Sequence, residues 1–230
     1  MKVFAISDLH LSASVDKPMN IFGGAWDNYW GVIKNNWRKH ISDDDIVLIA
    51  GDISWAMYLS EAEPDIRDIQ SLPGYKVIIK GNHDYWWSSV SQIRALLDDK
   101  TFVLQNDSVK IGNYVVFGTR GWNCPDKNWS EQDEKIYKRE GERLKLAIKS
   151  AQSKLLDGDT LIGMMHYPPF NVKREDSIFT EIFEQSKVRT VVYGHLHGKQ
   201  SRVAPKVIKN GVEYHLTSCD QINNMPTRIF

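Results

Sequence analysis

The chain has 230 residues, of which 42% are apolar and 25% are charged, a composition typical of a globular protein and not of a disordered one. Lys plus Arg and Asp plus Glu number 29 each, so no overall charge would draw the protein to nucleic acid or to anionic lipid. The N-terminal apolar stretch is too short for a signal peptide, and no window reaches the roughly 18 apolar residues of a membrane span. With only Cys124 and Cys219, the chain suits a reducing compartment. We therefore expect a soluble cytoplasmic protein that forms a single domain over residues 1–230.

Six short apolar runs, rich in β-branched residues, have the character of buried strands. They cover residues 3–6, 46–50, 76–79, 114–117, 160–164 and 190–193. Apolar side chains at three-, four- and eight-residue spacing predict a helix from about residue 132 to residue 156, with Ser130 and Asp133 capping its start and Gly158 following its end. Strands that alternate with helices indicate an α/β fold with a largely parallel or mixed sheet.

Two long segments, residues 11–30 and 119–130, lack a regular apolar period and are predicted to be loops. The second contains Gly121, Pro125 and two tryptophans. Loops of this length in a compact domain commonly have a function, so both segments are candidate lids over a binding site.

Polar clusters follow five of the predicted strands at the point where each strand ends. They are Asp8-Leu9-His10, Gly51-Asp52, Gly81-Asn82-His83-Asp84, His166 and Gly194-His195-Leu196-His197. Ligands of open α/β sheets bind beyond the carboxyl ends of the strands, so clusters far apart in sequence are expected to meet in one crevice.

The residue types in these clusters predict a metal site. Imidazoles, carboxylates and an Asn carbonyl form a nitrogen and oxygen ligand set suited to Mn, Fe, Zn or Ni. In extended segments, Asp8 and His10 could bind one ion, and His195 and His197 could bind one ion or two. Asp52 has two oxygens with which to bridge a metal pair about 3.5–4 Å apart. Two divalent ions, two carboxylates and a hydroxide would leave the site positive, which favours an anionic phosphate ester.

Together these motifs, in this order between residues 8 and 197, resemble the calcineurin-like metallophosphoesterase superfamily, and most closely its bacterial predicted phosphohydrolases. The resemblance implies a four-layer sandwich in which α-helices flank two mixed β-sheets. It also implies two divalent metal ions, with Mn the first choice, and hydrolysis of a phosphomonoester or phosphodiester by a hydroxide that both metals bind.

The same resemblance assigns roles to individual residues. The first metal would be bound by Asp8, His10 and His197, the second by Asn82, His166 and His195, and Asp52 would bridge the two. His83 would stabilise the phosphoryl oxygens or protonate the leaving group, with Asp84 holding its ring. Such a general acid typically contributes about 10²–10⁴-fold in rate.

Two further residues are candidate substrate contacts. The protein Ser/Thr phosphatases of the superfamily have a phosphate-binding Arg downstream of Gly-Asp, whereas here Gly51-Asp52 continues with Ile53-Ser54, which argues against that branch. Arg120 could supply a substitute guanidinium, although a salt bridge is the more common role. Trp55 could stack on a flat substrate group, although core packing is the more common role.

The leading hypothesis is a phosphatase or phosphodiesterase acting on a small phosphorylated molecule. One alternative is a nuclease of the same superfamily, which the neutral net charge disfavours. Another is a non-catalytic metal-binding scaffold, which the complete ligand set disfavours. Neither the physiological substrate nor the oligomeric state follows from these motifs.

Overall fold

The computed structural model describes residues 1–198 and 203–230. Its strands are β1 (Val3–Ile6), β2 (Ile46–Ile49), β3 (Tyr75–Ile79), β4 (Thr101–Leu104), β5 (Asp107–Ile111), β6 (Tyr114–Thr119), β7 (Thr160–Met165), β8 (Thr190–Tyr193), β9 (Lys206–Lys209), β10 (Val212–Leu216) and β11 (Thr227–Arg228). Its α-helices are α1 (Tyr29–His40), α2 (Leu59–Gln70), α3 (Val90–Ala95), α4 (Glu131–Gln152) and α5 (Ile178–Gln185).

These strands form two mixed sheets. The first has five strands in the order β11-β1-β2-β3-β4, of which the last four are parallel and β11 is antiparallel to β1. The second has six strands in the order β5-β6-β7-β8-β10-β9, with a parallel centre and an antiparallel strand at each edge.

Both faces of each sheet are covered, which explains why the central strands are apolar along their whole length. Alternate side chains such as Val3 and Ala5 on β1 point into a core that they share with Ile162 and Val192 of the second sheet. On the other side of the first sheet, α1, α2 and α3 pack on side chains such as Phe4. On the outer side of the second sheet lie α4 and α5. The predicted four-layer sandwich is therefore confirmed.

The predicted long helix is present, but it is shorter than the sequence indicated. Ser130 Oγ accepts a hydrogen bond from the Asp133 amide (3.1 Å), and the Asp133 carboxylate accepts one from the Ser130 amide (3.2 Å), so the N-terminal cap is as predicted. The helix ends at Gln152 instead of residue 156. Leu155 and Leu156 continue the apolar spacing, yet both are exposed and lie outside the packed face.

The two segments predicted to be loops are largely irregular. Residues 11–28 contain two short 3₁₀ turns, Met19–Phe22 and Gly24–Trp26, and α1 begins at Tyr29. Residues 120–130 contain no helix or strand. A lid role for either segment stays a prediction.

Within the described part of the chain, no helix combines the length and the apolar character that crossing a bilayer requires.

Candidate metal centre

The five polar clusters meet at one edge of the sandwich. Asp8, Asp52 and Asn82 follow the adjacent parallel strands β1, β2 and β3 of the first sheet, while His166 and His195 follow β7 and β8 of the second. Parallel strands place their carboxyl ends at the same edge, so the loops of both sheets face one crevice there. The convergence predicted from the sequence is therefore present.

One group of ligand atoms is formed by Asp8, His10 and His197. One side-chain nitrogen or oxygen of each residue lies within 4.8 Å of the others. The rings of His10 and His197 meet edge to face, with centroids 5.1 Å apart. The backbone differs from the expectation, because Asp8 and His10 adopt left-handed φ angles of 56° and 46° in place of an extended conformation. The side chains converge because the chain turns at both residues.

A second group is formed by Asn82, His166 and His195. Asn82 Oδ1 lies 2.7 Å from His166 Nε2 and 2.8 Å from His195 Nδ1. His166 Nδ1 donates to the carbonyl of Ala50 at 2.9 Å, which leaves Nε2 with a lone pair directed at the Asn82 oxygen. Ligating histidines characteristically fix their tautomer by such a bond to a backbone carbonyl. His195 and His197 thus belong to different groups.

Asp52 lies between these two groups. Its Oδ2 is 3.7 Å from His10 Nε2 and 3.5 Å from His166 Nε2, while its Oδ1 accepts a hydrogen bond from the His83 amide at 2.8 Å. Asp8 also comes within 4.8 Å of the Asp52 and His166 ligand atoms. The two groups are therefore contiguous, and Asp52 has one oxygen directed at both of them.

Two glycines allow the loops to approach this closely. A Cβ atom on Gly81 would lie 2.1 Å from Asp52 Oδ1 and 2.3 Å from the Asp52 amide nitrogen. A Cβ atom on Gly194 would lie 2.6 Å from Asp8 Oδ2. Any side chain at either position would collide with a predicted ligand, so the Gly before Asn82 and the Gly before His195 are steric requirements of the site.

Burial dominates the electrostatics of the centre. It lowers the pKa of His10 to about 3 and that of His195 to about 3, so both imidazoles are neutral at pH 7. Burial, together with the charges of Asp8 and Asp84, raises the pKa of Asp52 to about 9. Burial would also raise the pKa of Asp8, but His166, His10 and a hydrogen bond from Ser7 bring it below its ordinary value.

These residues fit divalent cations. Both ring nitrogens of His10 and Oδ2 of Asp52 are buried without a hydrogen-bond partner in the described part of the chain. Buried polar atoms without partners are costly, and acceptor atoms that face one another, such as Asn82 Oδ1 and His166 Nε2, repel. A cation bound among them would satisfy the lone pairs and allow Asp52 to ionise. Neutral imidazoles with carboxylate and amide oxygens form a set that borderline transition metals bind well.

The expected pairing of Asp84 with the His83 ring is wrong. The buried Asp84 carboxylate accepts hydrogen bonds from the amides of Asp52 (3.0 Å), Ile53 (2.8 Å) and Gly81 (2.7 Å). It also accepts one from the Trp86 indole (3.0 Å), whereas His83 Nδ1 is buried with no partner among the described residues. The Ser54 amide also donates to the Asp84 carboxylate, at 3.3 Å, so four backbone amides surround it, and Asp84 is a positioning residue for the loops after β2 and β3.

Trp55 contacts two site residues. Its ring stacks on His10 with centroids 4.7 Å apart and lies 4.6 Å from the His83 ring. The indole N–H is directed at the sulfur of Met19, at 3.3 Å. The structure therefore places Trp55 against a predicted metal ligand. Substrate contact by Trp55 stays a prediction.

Arg120 lies at the margin of the site. Its guanidinium stacks over the Trp122 ring at 5.0 Å and lies 3.9 Å from a carboxylate oxygen of the fully buried Glu140. Its backbone carbonyl accepts hydrogen bonds from the amides of His166 and Tyr167, both at 3.1 Å. The main chain of Arg120 thus positions the loop of a predicted ligand, while phosphate binding by its side chain stays a prediction.

Three supporting residues were not identified from the sequence. Ser7 Oγ donates to Asp8 Oδ2 at 2.6 Å, and the Ser7 backbone pairs with residues 217–219 through Thr217 O (2.8 Å) and the Cys219 amide (3.0 Å). Tyr167 packs against the His195 ring with centroids 4.3 Å apart. Trp26 meets both His10 and His197 edge to face. Ser7 and Tyr167 are next to predicted ligands in the sequence, and this proximity could have identified them. No feature of the sequence points to Trp26.

Comparisons with known proteins agree with this geometry. A family model described as calcineurin-like phosphoesterase matches residues 1–199. A structure of AQ665 from Aquifex aeolicus, described as a protein of unknown function, is similar with a TM-score of 0.53 and 15% identity, over 99% of this chain and 95% of that one. TT1561 of Thermus thermophilus gives a TM-score of 0.60 and 10% identity, over 95% and 89% of the two chains. At these identities the structures support the fold alone. The comparison with curated proteins gave no match.

Proposed function

The chain belongs to the calcineurin-like phosphoesterase family, and from that premise we propose that it is a dinuclear metal-dependent phosphohydrolase that cleaves a small phosphomonoester or phosphodiester. The observation that carries the proposal is the position of Asp52, one oxygen of which lies 3.7 Å from His10 and 3.5 Å from His166, between two contiguous groups of ligand atoms.

In this proposal each of the two groups would hold one divalent cation. Asp8, His10 and His197 would hold the first, Asn82, His166 and His195 would hold the second, and Asp52 would contribute to both. When bound, such cations lower the pKa of water and neutralise the charge of the phosphoryl oxygens. Mn is our first choice, and Fe, Zn or Ni would suit the same nitrogen and oxygen donors.

We propose that His83 either donates a hydrogen bond to a phosphoryl oxygen of the ester or protonates its leaving group. Its ring lies 5.6 Å from that of His10 and 4.6 Å from that of Trp55, at the edge of the ligand groups. Burial lowers the pKa of the ring, which favours the neutral imidazole near pH 7. The N–H of the neutral ring can then donate to a phosphoryl oxygen, whereas protonating the leaving alcohol requires the imidazolium form, which the negative charge of a bound ester would favour. The amide of His83 binds Asp52, so the ring stays beside the shared carboxylate.

Two substitutions and a metal addition test the proposal. Metal-stripped protein is assayed with p-nitrophenyl phosphate and bis-p-nitrophenyl phosphate, with and without Mn²⁺. We expect turnover only with metal, loss of that turnover in Asp52→Asn, and a decrease of about 10²–10⁴-fold in His83→Ala with metal still bound. The better substrate of the two decides between a monoester and a diester.

Matched controls are Asp44→Asn and His40→Ala, which make the same chemical changes at exposed positions outside the site. Both should retain full activity. If Mn²⁺ binds but neither ester is hydrolysed, the protein is instead a metal-binding scaffold or an enzyme of narrow substrate range. If activity is limited to DNA and binding weakens steeply with salt, it is a nuclease.

A further inference from the structure

A cavity of about 390 Å³ opens beside the second group of ligand atoms. It lies between the loop that contains Cys124 and the loop that contains Phe170, and His195 forms part of its wall. Cavities of about 300–1,000 Å³ are the usual size for small-molecule sites. The metal-ligand groups do not require a space of this size, so it needs its own explanation.

The walls of the cavity are mostly apolar and partly aromatic. Phe170 and Tyr193 line it from the second sheet side, with ring centroids 5.9 Å apart, and Trp129 lines it from the opposite loop. Leu196 and Val207 add aliphatic surface. Side chains of this kind bind flat apolar groups by burial and by stacking.

The polar groups lie at the rim. Asn123, Asn128 and Asp126 line the cavity and are exposed, and Arg174 is an exposed cation on the facing loop. The Asp133 carboxylate also lines it but accepts hydrogen bonds from Trp122 and Ser130. Side-chain amides and a guanidinium can bond the polar edge of a ligand while its faces contact the apolar walls. A ring system with a polar edge fits this distribution, whereas a short, fully hydrated alcohol would leave the apolar walls without contacts.

The cavity is held open by bonds between its two loops. Asn171 Nδ2 donates to the carbonyl of Pro125 at 3.2 Å, and Asn171 Oδ1 accepts from the amides of Lys173 and Glu175. The thiol of Cys124 points to the carbonyl of Pro168 at 3.7 Å. Because both loops are tied to each other, the space exists before any ligand enters.

His195 connects the cavity with the ligand groups. Its Nδ1 faces Asn82 Oδ1 at 2.8 Å, and the same residue lines the cavity. A phosphoryl group held at the ligand groups therefore has the cavity as neighbouring space for one of its substituents. We infer that this cavity receives the alcohol part of the ester, and that this part is a planar, largely apolar ring system. The inference rests on the proposed phosphohydrolase function.

The test compares two esters whose alcohols have similar acidity, 2-phenylethyl and n-propyl phosphate, or their methyl diesters if diesters are preferred. Similar acidity removes the difference in leaving-group reactivity, so the ratio of their kcat/KM values reports binding of the ring. We expect a preference of about 10- to 100-fold for the phenylethyl ester. Val203→Trp, which fills the cavity from a residue that is 43% exposed, should lower that ratio at least about fivefold.

The matched control is Val32→Trp, because Val32 is 38% exposed and lies on α1 outside the cavity; its ratio should equal that of the wild type. Phe170→Leu keeps the site apolar but removes a flat wall, and its ratio should fall about two- to fivefold. Turnover of both esters with no preference, or an unchanged ratio in both cavity variants, overturns the inference and leaves the proposed function standing. Failure to hydrolyse the p-nitrophenyl esters as well as these two overturns the proposed function itself, whereas hydrolysis of the p-nitrophenyl esters without the phenylethyl ester overturns the inference alone.

Discussion

The two sheets contribute different chemistry to the same site. Every oxygen ligand predicted here, Asp8, Asp52 and Asn82, follows a strand of the first sheet, which also supplies His10. The loops of the second sheet supply imidazoles alone, from His166, His195 and His197. Negative charge is therefore confined to one half of the centre. The second half adds neutral nitrogen ligands and therefore no repulsion between charges. Bound cations would balance mainly the carboxylates of the first half.

The two halves also differ in how their loops are held. The Asp84 carboxylate binds backbone amides on the loops after both β2 and β3, so a buried charge fixes the first-sheet half. In the second-sheet half a carboxylate holds only one amide, that of His195, which donates to Asp8 Oδ1 (3.1 Å) and Oδ2 (3.0 Å); the rest depends on main-chain bonds such as Gly194 N–H to His166 O (3.1 Å) and on ring packing. The first half is thus the more sensitive to loss of one side chain.

The largest expected effect comes from removing Asp84. Asp84→Ala leaves four backbone amides and the Trp86 indole without their acceptor, and buried unpaired donors cost about 1–3 kcal/mol each. Allowing for partial rescue by water, we expect the free energy of unfolding to fall by about 3–5 kcal/mol in denaturant titrations. Asp84→Asn, which keeps one acceptor oxygen, should lie between this variant and the wild type.

The matched variant in the second half is Glu140→Ala. Glu140 is also fully buried, but its partners are the side chains of Thr119 (3.1 Å) and Arg143 (2.6 Å), and the Arg143 side chain is partly exposed and can turn to solvent. We expect a loss of about 1–2 kcal/mol. Equal losses for Asp84→Ala and Glu140→Ala would contradict the proposed difference between the halves.

The two halves also differ in the protonation state of their ligands. At pH 7 the metal-free protein carries a proton on Asp52, whose pKa is about 9, while His10 and His195, with pKa values of about 3, carry none. Metal binding should therefore release the Asp52 proton, with one more if a bound water ionises, measurable by calorimetry in buffers of different ionisation enthalpy. Apparent metal affinity should rise at least about tenfold per pH unit between about pH 7 and 9. Release of no proton would contradict the protonated state of Asp52 in the metal-free protein.

The stability of the metal-free protein should follow the same proton. Because the folded pKa of Asp52 is raised above its ordinary value of 3.8, its stabilising contribution is complete below about pH 4 and is lost as pH rises through 9. Above about pH 8 the histidines with lowered pKa values, such as His10 and His195, are neutral in both folded and unfolded states. Between about pH 8 and 9 we therefore expect the melting temperature to fall without metal and to change less with Mn²⁺ present. A rise over this range in the metal-free protein would contradict the assignment.

The smallest effect concerns the rings that support one ligand in each half. Trp55 stacks on His10 with ring centroids 4.7 Å apart, and Tyr167 packs against His195 in a tilted arrangement with centroids 4.3 Å apart. Aromatic pairs contribute about 0.5–1.5 kcal/mol, so Trp55→Leu and Tyr167→Leu should each weaken the binding of one metal by about two- to tenfold. Metal titration followed by elemental analysis would detect this. Each variant is the control for the other, and a loss of both metals in either variant would show that the halves are not independent.

The sequence predicted the centre of the fold better than its margins. The six strands found from apolar runs are covered on both faces, so burial made each run continuous. β5, in contrast, lies at a sheet edge and includes Asp107 and Lys110, and β9 at the other edge is partly exposed. Such strands have a mixed polar pattern that does not distinguish them from loops. The end of α4 was missed because Leu155 and Leu156 are apolar without being packed.

The site could be predicted because metal ligands must be particular residue types at the ends of strands. All seven predicted ligands lie together, but the role of Asp84 could not be read from the sequence, since it depends on which backbone amides surround it. The left-handed φ angles of Asp8, His10, Asp52 and His195 were also not apparent, because Asp and His tolerate this region only moderately and nothing local requires it. The fold imposes these angles, as functional sites commonly require.

The pairing of Ser7 with residues 217–219 has a consequence for the order in which the protein matures. A nascent chain that has reached residue 199 already contains every predicted ligand, yet it lacks the Thr217 carbonyl and the Cys219 amide that flank the turn at Asp8. Synthesis proceeds from the N-terminus, so metal loading is expected to follow synthesis of residues 217–219 and not to accompany translation of the ligand motifs.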